Sequence, residues 1–138
     1  MSDYNKRIEC LDGFTMSVQA SRTHYCLPRQ DDAESYTEVE VGYPSEEEEY
    51  LTPFAELGAT NSLGQKLTEQ VYPCVPVEII DRVIEKHGGV LEGEAPKGVK
   101  AVTAKDLWLR NKTELSDCKS FIAMQTREIS HLTKRRAY

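Results

Sequence analysis

The residues able to do chemistry are few and scattered. Three histidines (His24, His87, His131) and four cysteines (Cys10, Cys26, Cys74, Cys118) are spread along a chain of 138 residues. No two cysteines stand at Cys-x-x-Cys spacing and no histidine lies at ligand spacing from one of them. Neither a zinc site nor a disulfide framework is therefore expected. His24, beside Tyr25 and Cys26, is the one place where a Cys–His catalytic pair could be imagined, but side chains so close in sequence usually diverge. His87 falls in the last turn of an expected helix, where positive charge suits the helix dipole. Carboxylates are plentiful without a diagnostic setting. Gly88-Gly89 ends a helix rather than starting one, the wrong orientation for anion binding at an N-terminus. The expectation is a binding protein, not an enzyme, with no metal and no cofactor.

The most suggestive stretch is residues 21–29. It brings Arg22, His24, Tyr25 and Arg29 together just after a strand that carries Ser17 and Gln19 on its polar side. A guanidinium can fork phosphate oxygens with two parallel hydrogen bonds, and a tyrosine offers both a stacking face and a hydroxyl. Arg22, Tyr25, Arg29, Ser17 and Gln19 are thus candidate contacts for a nucleotide-like ligand. The structural alternative remains open: Tyr25 packs in the core, and the arginines pair with Asp31, Asp32 or Glu34.

These residues need elements to position them. Ile8 and Cys10 lead into Asp12-Gly13, a dipeptide suited to a tight hairpin turn. The next run, Phe14 to Ala20, alternates with period two, placing Phe14, Met16, Val18 and Ala20 on one side and Thr15, Ser17 and Gln19 on the other. A second alternating strand is expected over 36–43, with Val39, Val41 and Tyr43 on one face, ended by Pro44. Ser45 followed by Glu46–Glu49 predicts a helix start with Glu48 at the capping-box position, kept short by Pro53. Residues 58–70 are loop-like, and 71–75 suit a short strand. Pro76 opens a helix whose apolar set is Val77, Ile80, Val83 and Ile84, with Gly88-Gly89 as its stop. A linker over 91–98, a strand over 99–102 and a short helix capped by Thr103 follow. Thr113 is expected to cap an amphipathic helix over 114–134, a suitable oligomerisation element. The fold class expected is α+β: one domain over 1–138, with a β-rich core and helix over 1–90, the 91–98 linker, and a basic helical region over 99–138. An antiparallel sheet is packed by the 76–87 helix.

A hydrophobic fraction of 39% and a charged fraction of 29% describe a globular chain long enough to bury its own core. The first residues have no signal-peptide character and no run approaches a membrane span. A reducing cytoplasm with free thiols is expected, without membrane attachment. The net charge of −6 hides an asymmetry, −12 over residues 1–96 and +6 over 97–138. Such a split fits an acidic binding face with a basic tail, subunits meeting head to tail, or two solvated faces. Lys134-Arg135-Arg136 is compatible with nucleic acid but more economically read as solubilising decoration, so nucleic acid is not the expected partner.

Several segments together resemble a family of small proteins encoded by bacteriophages and prophages. They are the run from Asp12 to Ser21, then His24 to Arg29, Val39 to Ser45, Tyr72 to Val77, and Lys86-His87-Gly88-Gly89. The resemblance covers about residues 8–90. It implies a counter-defence role, and the anti-Thoeris sponge proteins, which capture cyclised ADP-ribose, have a similar plan of a β-rich N-terminal part followed by helices in an oligomer. On that resemblance the partner is a cyclic nucleotide-like small molecule, sequestered without cleavage in the host cytoplasm by a homo-oligomer. The alternative is a host protein: an acidic inhibitor of a defence or CRISPR complex, acting through Asp31-Asp32 and Glu46–Glu49.

Overall fold

A computed structural model describes residues 4–116. It is an α+β fold built on one five-stranded antiparallel sheet. Strands β1 (Ile8–Cys10) and β2 (Thr15–Gln19) form the expected hairpin, with Ile8 opposite Met16 and Gly13 at φ 98° in the turn. β3 (Glu38–Gly42) pairs with β2, and β4 (Val71–Pro76) pairs with β3. Strand β5 (Val90–Glu92) closes the other edge against β1, giving the order β4-β3-β2-β1-β5.

Alternation decides which side of the sheet is covered. Met16 and Val18 from β2 and Val39 and Val41 from β3 are fully buried. They join Ile8, Cys10, Phe14 and Val75 in one cluster with Ile80, Val83 and Ile84 of helix α1 (Val77–Lys86). The spacing 80, 83, 84 puts those three side chains on one helical stripe, so α1 lies across the sheet with Glu78, Arg82 and Glu85 facing solvent. The helix stops as its glycines predict. The Gly89 amide donates to the Ile84 carbonyl at 2.9 Å and the Gly88 amide to Glu85 at 3.1 Å, with both glycines at positive φ. This 6→1 and 5→2 pattern is a Schellman cap.

Four expectations are corrected. No α-helix begins at Ser45. Instead Ser45 exchanges hydrogen bonds with Thr15, its Oγ accepting from the Thr15 amide at 2.9 Å and its own amide donating to the Thr15 carbonyl at 2.8 Å. Glu48 turns inward, and its carboxylate accepts the Tyr50 amide at 2.9 Å, a local bond that competes with a helical turn. Only a 3₁₀ turn forms, at Thr52–Phe54 around Pro53. The expected linker is also partly structured, since Leu91 and Glu92 belong to β5. Residues 99–102 make no strand; Asp81 on α1 holds them by accepting the Lys100 and Ala101 amides at 3.0 and 3.1 Å. Finally, Thr103 does cap helix α2 (Ala104–Ser116), its Oγ1 accepting the Asp106 amide at 3.0 Å, but that helix runs on through Thr113, which is therefore not a cap. Beyond residue 116, the expected helix to 134, with Cys118, His131 and the basic end, lies outside the described residues.

Candidate ligand groove

Period two leaves the other side of β2 and β3 polar. Ser17 stands directly opposite Gly42, and Gln19 opposite Glu40. With no side chain at Gly42 the sheet surface is low there: a Cβ at that position would meet only the Ser17 Cβ, at 3.8 Å. Around this floor rise Tyr4, His24, Tyr25, Arg29 and Tyr43, enclosing a groove of about 430 Å³. That size falls within the range of small-molecule sites.

The walls come mainly from the segment after β2. Its turn is held by Ser21, whose Oγ lies 2.6 Å from His24 Nδ1 and accepts the Thr23 amide at 3.1 Å. His24 is buried, edge-on to the Tyr4 ring with centroids 5.1 Å apart. Next to it the Tyr25 amide donates to Glu40 Oε1 at 2.9 Å, fastening the segment to β3. Tyr25 itself is 46% exposed, and the Arg29 guanidinium lies over its ring, 5.2 Å from the centroid. Arg29 forms no ion pair among the described residues, so its N–H edges remain available. Across the groove Tyr43 is 52% exposed, with the Arg7 guanidinium donating to its carbonyl.

Of the five residues singled out in the sequence, four line this groove: Ser17, Gln19, Tyr25 and Arg29. Arg22 does not. It forms an exposed ion pair with Asp31 at 3.1 Å, as the structural alternative supposed for the arginines. For Tyr25 the alternative fails, because the ring stands in solvent. Gln19 has an internal task. Its Oε1 accepts the Asn5 amide at 2.7 Å, and its Nε2 donates to the Asn5 carbonyl at 2.9 Å and to Ser17 Oγ at 3.0 Å. The Ser17 hydroxyl thus accepts from a fixed amide and keeps its own proton to donate. Glu40, Gly42 and Tyr43 were missed. All three lie in the segment read as a strand over 36–43, and the outer face of that alternation was the signal for Glu40 and Gly42. Tyr43, expected on the face of Val39 and Val41, is instead exposed because β3 ends at Gly42 and Tyr43 turns to a φ of 49°. Tyr4 reaches the groove from the N-terminal segment and had no sequence signal.

Near the groove the reactive side chains are engaged locally, Ser21 Oγ with His24 Nδ1 at 2.6 Å and Cys26 with backbone carbonyls. Cys26 Sγ donates to the Ser21 and Pro28 carbonyls at 3.1 and 3.4 Å, and burial pushes its thiol up despite the bond to Ser21 and the nearby Arg29 charge. A thiol so held is a weak nucleophile. His87 lies elsewhere, buried beneath the hairpin turn and bridging two carboxylates. Nδ1 is 2.6 Å from Asp12 Oδ2 and Nε2 is 2.6 Å from Glu48 Oε1. Its ring stacks on Phe14 at 4.2 Å. Among the described residues no group of three His, Cys, Asp or Glu side chains converges to hold a metal, and no helix is long and apolar enough to cross a membrane.

The groove offers aromatic faces to stack, a guanidinium for an anion, one oriented hydroxyl donor and a carboxylate acceptor. The chain matches no protein-family model, no curated protein and no solved structure.

Proposed function

We propose that this chain is a binding protein that holds a nucleotide-derived small molecule in the groove and does not cleave it. The observation that carries this is the Arg29–Tyr25 pair standing over the low floor of Ser17 and Gly42. A phosphate at the guanidinium edge and a flat ring against tyrosine are the two contacts a nucleotide offers. The Ser17 hydroxyl, bonded to an amide that cannot take its proton, suits holding rather than turnover. The biological setting follows from the resemblance to phage-encoded proteins: sequestration of a nucleotide signal of bacterial immunity, in the host cytoplasm. The other reading, an acidic inhibitor, needs Glu46–Glu49 as one face, and Glu48 is buried.

The test is depletion. Purified protein should remove cyclised ADP-ribose from solution and return it intact on heat denaturation. Recovery of a hydrolysed product would make the protein an enzyme. A stable host protein in a pulldown, with no nucleotide capture, would favour inhibition.

A further inference from the structure

The polar side of the fold has a second depression, of about 250 Å³, bounded by Leu57, Leu63, Glu56 and Glu69. Tyr43 and Val71 line both this cleft and the groove, so the two adjoin along one ring. The cleft is a built feature. Its wall is braced by Gln70, which is buried and spends its whole amide: Oε1 accepts the Leu57 amide at 2.9 Å, and Nε2 donates to the Gly58 and Gln65 carbonyls at 2.8 and 3.1 Å. Asn61 closes the loop above, accepting the Leu63 and Gln65 amides at 3.0 and 3.1 Å.

Its charge differs from that of the groove. The groove has Arg29 over an aromatic ring beside one carboxylate, Glu40, whereas the cleft has two carboxylates, two leucines and no lysine or arginine in its lining. A phosphate would be repelled there, while an amino group on a flat apolar ring would find acceptors and an apolar wall. We infer that groove and cleft form one two-part site divided by the Tyr43 ring, with the cleft taking the amino-bearing base of a nucleotide whose phosphate Arg29 holds. This rests on the groove being the binding site. It adds a base preference: adenine-like rings, which carry an exocyclic amine, over hypoxanthine-like rings, which present a carbonyl at that place.

Calorimetric titration with ADP and IDP tests it, since the two differ at that group. ADP should bind about tenfold tighter than IDP, and the preference should shrink to about twofold in the E56Q/E69Q variant, which keeps side-chain size and loses the charge. Equal affinity for the two nucleotides, still weakened by R29A, would overturn the base assignment and leave the groove standing. Failure of both nucleotides to bind would overturn the groove and this assignment together.

Discussion

His87 Nε2 lies 2.6 Å from Glu48 Oε1, and this buried contact joins the end of α1 to a segment whose sequence pattern suits a separate helix. Lys86 Nζ reaches the same carboxylate at 3.1 Å. Removing Glu48 leaves the buried His87 Nε2 without that partner, and an unsatisfied buried polar group typically costs about 1–3 kcal/mol. Glu48→Ala should lose stability on that scale in urea denaturation. A loss below about 1 kcal/mol would mean that the contact is not a buried one.

The same carboxylate predicts an acid-side dependence. Burial disfavours its charge, but the Tyr50 amide, His87 and Lys86 outweigh burial and hold Glu48 below its usual value of 4.5. A depressed carboxylate stabilises the fold fully above the unfolded value, and that stability is lost as pH falls through the folded value. Unfolding free energy should therefore drop more steeply below about pH 4.5 in the native chain than in Glu48→Gln. Parallel curves would contradict this.

The groove residues separate by what they already touch. Arg29→Ala should weaken ADP binding about tenfold or more, because a charged contact to phosphate is lost. Arg22→Ala, outside the groove and paired to Asp31, should leave binding unchanged. Gly42→Leu fills the floor from the polar side, away from the core, and should abolish binding while keeping the circular dichroism of the fold. Equal loss in the Arg22 and Arg29 variants would place the ligand elsewhere.

Gly89 positions α2. Its φ is 92°, and a Cβ there would lie 2.7 Å from the Ala104 backbone. Gly89→Ala should cost about 2 kcal/mol or more and shift the emission of Trp108, the single tryptophan, which lies on α2. Unchanged emission and stability would show that the close approach is not required.

Much of the fold was legible where one physical rule acts alone. Period two fixed the faces of β2 and β3, and the apolar spacing with Gly88-Gly89 fixed α1. The failures come from tertiary partners that no local pattern reveals. Ser45 and Glu48 have the makings of a helix cap, yet Thr15 claims the first, and His87 and Lys86 claim the second. In the groove, Tyr25, Arg29, Ser17 and Gln19 were legible because they follow one another along the hairpin and the segment after it. Arg22 was misplaced because its exposed partner Asp31 is only one of three nearby carboxylates. Tyr43 and the cleft beyond it depend on how β4 and the 58–70 loop meet β3, which is a matter of topology.

Burial and the charges of Asp12 and Glu9 push the Cys10 thiol up to about 12. Iodoacetamide at pH 8 should leave Cys10 unmodified in the native chain and alkylate it after unfolding, as read by mass spectrometry. Native labelling would show an open core beneath the hairpin.

Amide chemical-shift mapping during ADP titration addresses the groove most directly. The account predicts shifts concentrated at Ser17, Tyr25, Arg29, Gly42 and Tyr43, saturating at one nucleotide per chain and absent in Gly42→Leu. Shifts that avoid these residues, or that persist undiminished in Gly42→Leu, would contradict it.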